Sequence, residues 1–154
     1  MRDEDCVYID ETYVNHKMQS THGWGRIGQV VPVEISGGAN GKTGVIGAWH
    51  QNRCVHAEVF EGNCRTGVFT TWLSVLMGMH PGKTIIMDNA TYHHSGLVQA
   101  LSAHYRCRLL YLPPYSPDLN PIEHCWANGK RLLRKVFGGR VTKTVLEEYV
   151  PFLF

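Results

Sequence analysis

With 154 residues, 44% of them hydrophobic and 18% charged, the chain has the size and composition of one globular domain with a single sizeable core. No apolar run approaches the roughly 18 residues of a membrane span, and the acidic opening "MRDEDCVYID" is not a secretory signal. A net charge of +2 does not announce a nucleic-acid binder, and five scattered cysteines without a C-x-x-C pair argue against a disulfide framework.

Residues 6–14, "CVYIDETYV", alternate apolar and polar side chains and predict a strand with Asp10 in its interior, where a lone charge needs a reason. The Gly-rich stretch 22–42 follows, and Pro32 demotes its extended middle to an edge strand or loop. "TGVIGAWHQ" and "RCVHAEVFE", joined by the polar pair Gln51–Asn52, predict a hairpin. The next segment predicts a helix capped by Asn63, with Val68, Trp72, Val75, Leu76 and Met79 as its apolar stripe.

"KTIIMDNA" reads as a short buried strand ending at Asp88, and "SGLVQALSAHY" as a helix capped by Ser95. "CRLLYLPPYSPDLNP" is a further strand running into prolines, after which Pro121 opens a long helix, "PIEHCWANGKRLLRKVFGG". The order β-β-β-α-β-α-β-α predicts an α/β fold in which the later strands are parallel. One catalytic domain is expected over 1–154, with a core over about 6–137 and a tail over 138–154 that ends in a short helix or strand.

Three acids stand out: Asp10 inside the first strand, Asp88 at the end of the fourth, and Glu123 on the last helix. If the two strands are neighbours, their carboxylates meet at a strand end, and a third from a packed helix completes a set of hard oxygen ligands for Mg²⁺ or Mn²⁺. Each acid also has a plainer explanation. Asp10 could be a strand-end residue and Asp88 an Asx-turn. Glu123 could close a capping box, with Asn120 as N-cap and Pro121 at N1. Other chemistries fit worse. "GGANGKTG" lacks the Walker A spacing, no Ser sits in a G-x-S-x-G elbow, and a zinc site drawn from His93–His94, His124–Cys125 and Cys107 lacks finger spacing.

Together "VYIDET", "IIMDNATYHHS" and "LPPYSPDLNPIEHCWANGK" resemble the catalytic domain of the mariner-type DDE transposases, in their bacterial insertion-sequence branch. Thirty-four residues, 89 to 122, separate Asp88 from Glu123, the spacing typical of that family. The resemblance implies an RNase H-like fold of the retroviral integrase superfamily, with a mixed five-stranded sheet whose first three strands are antiparallel. It also implies catalysis and metal binding by Asp10, Asp88 and Glu123 with two Mg²⁺ or Mn²⁺ ions, DNA cleavage at element ends, and strand transfer into target DNA, commonly at TA. Glu11, Asn89, His93, His94 and Asn120 are the candidates for lining the site. A homodimer or higher synaptic assembly and a cytoplasmic, nucleoid-associated location go with this reading, and no membrane partner does.

Family members carry helix-turn-helix modules ahead of the catalytic domain, whereas here Met1 lies nine residues before Asp10. The expectation is therefore a split-frame product, a relic or a fragment, served by a separate recognition subunit. The alternatives are a catalytically silent remnant that binds DNA or a partner subunit, and an RNase H-like nuclease with another substrate.

The basic run 130–143 holds Lys130, Arg131, Arg134, Lys135, Arg140 and Lys143. Taken alone it suits a solvated helix face. Helical geometry sets Lys130 and Arg134 within about 20° of Glu123, so these two are expected to face phosphates near the site, with Arg131 and Lys135 as further DNA-binding candidates. Ile122, Trp126, Leu133 and Val136 form the face expected to pack on the sheet.

Overall fold

The computed structural model describes residues 5–16, 41–114, 116–137 and 141–153. The expected strand or loop around Pro32, and Arg140, lie outside them. Within them a five-stranded sheet runs in the order β3-β2-β1-β4-β5. Its strands are β1 (Cys6–Asn15), β2 (Lys42–His50), β3 (Arg53–Glu61), β4 (Thr84–Met87) and β5 (Arg108–Tyr111). β1 to β3 pair antiparallel, and β4 and β5 pair parallel to the β1 side, as expected. Gln51 and Asn52 both take positive φ (50° and 61°), the backbone of a tight two-residue hairpin turn.

Helices cover both faces: α1 (Thr66–Met79) and α2 (Gly96–Tyr105) on one, α3 (Ile122–Phe137) and α4 (Lys143–Leu153) on the other. Two cores result. Val7, Ile9, Ile46 and Ala48 of the sheet pack with Phe69, Trp72, Leu73, Leu76 and Met77 of α1. On the other face Val14 and Val45 pack with Ile122, Trp126, Leu133, Leu146 and Val150. Leu146 and Val150 belong to α4, so the core extends past residue 137 and includes Val141, Leu146 and Val150 of the expected tail.

Three local expectations fail. The buried stripe of α1 is Phe69, Trp72, Leu73, Leu76 and Met77, while Val68, Val75 and Met79 are 40–48% exposed. This helix is apolar nearly all round, so periodicity alone does not select its inner face. Neither predicted cap works: Arg65, not Asn63, holds the N-cap position of α1, and Ser95 precedes α2 without a side-chain cap bond. Val136 is 65% exposed, because α3 ends on α4 through the Phe137–Tyr149 ring contact (5.2 Å) instead of on the sheet.

Candidate active site

Asp10 and Asp88 come from neighbouring strands. The parallel register of β1 and β4 pairs Tyr8 with Ile86; two residues further on β1 carries Asp10, Asp88 lies just past the end of β4, and both line one cavity. Across the other edge of β1, Asp10 faces Gly47 of β2. A Cβ at Gly47 would come within 2.5 Å of the Trp126 ring, so the bare backbone there is what admits the indole. Trp126 uses that room to donate its Nε1–H to Oδ2 of Asp10 at 3.0 Å. Sequence reasoning gives Trp126 only a packing role and passes over Gly47. The one available signal was that a buried indole N–H seeks an acceptor.

The α3 carboxylate is placed by Asn120. This buried side chain donates Nδ2–H to the carbonyl of Ile9 at 3.2 Å and accepts the N–H of Ile122 at 3.3 Å, tying the first turn of α3 to the strand residue next to Asp10. Pro121 lies just outside the helix, not at its first position. The Asn120 side chain caps Ile122 and not Glu123, whose N–H is donated to the Asn120 backbone carbonyl at 3.2 Å, so the capping-box bond from Glu123 to the cap side chain is absent. The reciprocal half does not form either, because the Asn120 N–H is donated to the carbonyl of Pro117 at 2.8 Å. The Glu123 side chain is therefore not drawn back onto the cap and stays exposed.

Asp88 makes the Asx-turn expected of a plain turn residue, its Oδ1 accepting the Ala90 N–H at 2.9 Å. The same oxygen lies 2.8 Å from Nδ1 of His93. That contact holds the Asp88 carboxyl below the usual carboxylate range. For His93, burial opposes the charged ring, but hydrogen bonds to Asp88 and Glu11 outweigh it and raise the imidazolium to about 9. Asp10 is shifted the other way. Burial first, then the charges of Glu123 and Glu11, push its carboxyl up to about 7 against the Trp126 bond.

The side chains of Asp10, Asp88 and Glu123 line one cavity of about 430 Å³, with Asn89 and Asn120 beside them and Leu112 to Pro114 forming a wall. Among the described residues no three His, Cys, Asp or Glu side chains are grouped closely enough to hold a metal ion. The donor chemistry still fits Mg²⁺ or Mn²⁺, hard ions that keep several waters and use one or two protein carboxylates together with substrate phosphates. Of the expected lining residues, Glu11, His93 and His94 do not border the cavity. Strand alternation turns Glu11 to the α1 face, and His93 lies buried beneath Asp88. His94 is exposed, stacked on Tyr111 at 4.1 Å and 3.2 Å from Oδ1 of Asn89.

Among the expected DNA-facing cations, Lys130 is the one brought close to the acids. It is half-buried, and burial lowers its ammonium pKa, opposed first by Glu123 and then by Asp10. Arg134 is exposed on the same side of α3, while Arg131, which donates to Asn128 at 3.3 Å, and Lys135 sit about 80° and 120° around the helix from Glu123.

Residues 5–141 match the family model described as DDE superfamily endonuclease. Over 85 residues the chain is 34% identical to the Tcb1 transposable-element transposase of Caenorhabditis briggsae, covering 55% of this chain and 29% of that one. A Mos1 mariner paired-end complex with Mn superposes with a TM-score of 0.78 at 17% identity, over 97% of this chain and 48% of the other. The Mos1 transposase catalytic domain with raltegravir and Mn gives 0.70 at 16% identity, over 97% and 70%. These structures establish the shared RNase H-like fold. The nematode relative supports the wider Tc1/mariner grouping and lends nothing to the expected bacterial insertion-sequence branch. The chain belongs to the DDE superfamily endonucleases.

Proposed function

We propose that this domain performs the strand cleavage and strand transfer of a Tc1/mariner-type transposase, with Asp10, Asp88 and Glu123 holding two divalent ions. The observation that carries the reading is the convergence of the three carboxylates on one cavity in a chain that belongs to the DDE endonucleases. When bound, Mg²⁺ or Mn²⁺ would activate the attacking oxygen and stabilise the leaving one during phosphoryl transfer. The chain itself supplies the frame. Asn120 sets Glu123 against β1, and Trp126 fixes the Asp10 carboxylate from the α3 side. Lys130, close to Glu123 and Asp10, is placed to meet a DNA phosphate entering the cavity, with Arg134 following the strand outward.

The chain spans less than a third of the Tcb1 transposase and about half of the transposase in the paired-end complex. For the whole protein we extend the reading to DNA element ends and a target site as substrates, TA among the targets, in an assembly that joins two ends. Element-end recognition is assigned to a helix-turn-helix module, in this polypeptide or a partner.

The test is strand transfer of a pre-cleaved end with Mn²⁺ or Mg²⁺, comparing wild type with Asp88→Asn and Glu123→Gln. Loss of transfer in both variants is expected, and equal activity in all three proteins overturns the triad. Cleavage of RNA or an RNA–DNA hybrid in place of DNA would reassign the same carboxylates to a nuclease of another substrate class.

A further inference from the structure

Asp10 and Glu11 are consecutive on β1, so their side chains leave opposite faces of the sheet. Asp10 opens on the cavity, whereas Glu11 enters the α1 side, where its side chain is only 8% exposed. A carboxylate taken out of water needs partners. Glu11 finds His93, whose Nε2 lies 3.3 Å from Oε1, and the Cys64 thiol at 3.9 Å.

His93 is itself 1% exposed, and its ring is wedged against Phe69 and Tyr92 at centroid distances of 4.3 and 4.5 Å. Held in that slot, it turns its other nitrogen to Asp88: Nδ1 lies 2.8 Å from Oδ1 and 3.2 Å from the Asp88 carbonyl. The Ala90 N–H reaches the same Oδ1. Two donors thus converge on one carboxylate oxygen, and among the described residues no hydrogen bond occupies Oδ2.

We propose that Glu11 and His93 are positioning residues: a buried prop that pins Oδ1 of Asp88 and thereby offers Oδ2 to the metal. One dipeptide of β1 then serves both strand-borne carboxylates, Asp10 directly and Asp88 through Glu11 and His93. The inference rests on the metal-site reading above, and it goes further by giving work to two residues that touch neither the cavity nor the ion.

The test is Mn²⁺ affinity of the purified domain, measured by electron paramagnetic resonance titration, with thermal unfolding run alongside. Loss of a partner that orients a metal ligand weakens binding by about 10–100-fold, so that loss is expected for His93→Ala and for Glu11→Ala. The double variant is expected to bind no more weakly than His93→Ala alone, because Glu11 reaches Asp88 only through His93. Glu11→Gln keeps the shape and an acceptor, and should restore affinity to within about fivefold of wild type. If Glu11→Ala unfolds, the pair Glu11→Gln/His93→Phe leaves no buried charge unpaired and is read for the same loss.

A folded Glu11→Ala protein, or the folded pair, with wild-type Mn²⁺ affinity overturns the prop, as do strictly additive losses in the double variant. Asp10→Asn separates the two readings. If it abolishes Mn²⁺ binding while Glu11→Ala keeps wild-type affinity, the metal site stands and the prop falls; if wild type and Asp10→Asn bind alike, the metal site falls and the prop with it.

Discussion

Asp10 on β1 and Asp88 just past the end of β4 line one cavity, yet their surroundings push them in opposite directions. Asp10 is hemmed in by apolar packing and by two other carboxylates, with one indole N–H as its donor. Asp88 is 57% exposed and rests on a histidine held between two acids. Without metal, then, one half of the site resists ionisation and the other invites it. On the proposed metal-site reading, an ion would displace a proton from Asp10 below about pH 7 and would join a charge already present at Asp88.

The sharpest way to break that comparison is to remove each acid in turn. Asp10→Asn and Asp88→Asn are both expected to lower Mn²⁺-dependent strand transfer by more than the roughly 100-fold that follows loss of an outer partner of a metal ligand. Their effects on the metal-free fold should differ in sign. Urea unfolding at pH 8 should show Asp10→Asn to be more stable than wild type by on the order of 1–4 kcal/mol, since a repelled buried charge is gone. Asp88→Asn loses a favourable but half-exposed pair and should be less stable by under about 1 kcal/mol. A shift of the same sign in both variants would abolish the contrast.

The pH dependence sharpens it. The Asp10 carboxyl titrates near 7 in the fold, above the 3.8 of a free side chain. The stability it contributes is therefore fully present below about pH 4 and is lost as pH rises through 7. Mn²⁺ replaces the proton, so apparent affinity should climb by up to about tenfold per pH unit below 7 and level off above it. Isothermal titration across pH 5.5–8.5 reads this directly, and a wild-type affinity that stays flat across that range removes Asp10 from the contrast.

A smaller effect isolates the support behind Asp10. Gly47→Ala puts a methyl group where the Trp126 ring lies, 2.5 Å from its nearest carbon. Overpacking of this kind should destabilise the fold by about 1–3 kcal/mol, and displacing the indole should push the Asp10 carboxyl still higher. Unfolding curves together with the midpoint of the metal–pH profile check both. The smallest effect expected is at Lys130, where Ala should lower the salt slope of DNA binding by about one phosphate contact while leaving the fold intact. An unchanged slope removes Lys130 from the DNA-facing surface.

Much of this was legible in the chain because it depends on local order. Alternation in "CVYIDETYV", the two-residue "QN" turn, the abrupt stop at Asp88 and the proline-bounded start of the last helix each report backbone geometry that a few neighbouring residues enforce. The inner face of α1 was not legible, since a helix apolar on every side is oriented by what packs on it. The tail was undecided for a related reason. Residues 143–153 form α4, with Pro151 inside it, and this helix packs on β3, far away in sequence, as well as on α3.

The sequence by itself determined the order of strands and helices up to α3, the three acids and their spacing, and the family to which they belong. These are properties of short motifs and their separations. Only the tertiary structure decided how each acid is held, because those contacts join residues 82 and 116 positions apart in the chain: His93 to Glu11, and Trp126 to Asp10. It also decided that Glu11, one residue from Asp10, faces away from the cavity. The strand's two-residue period turned that face toward His93, and burial then made the pairing necessary.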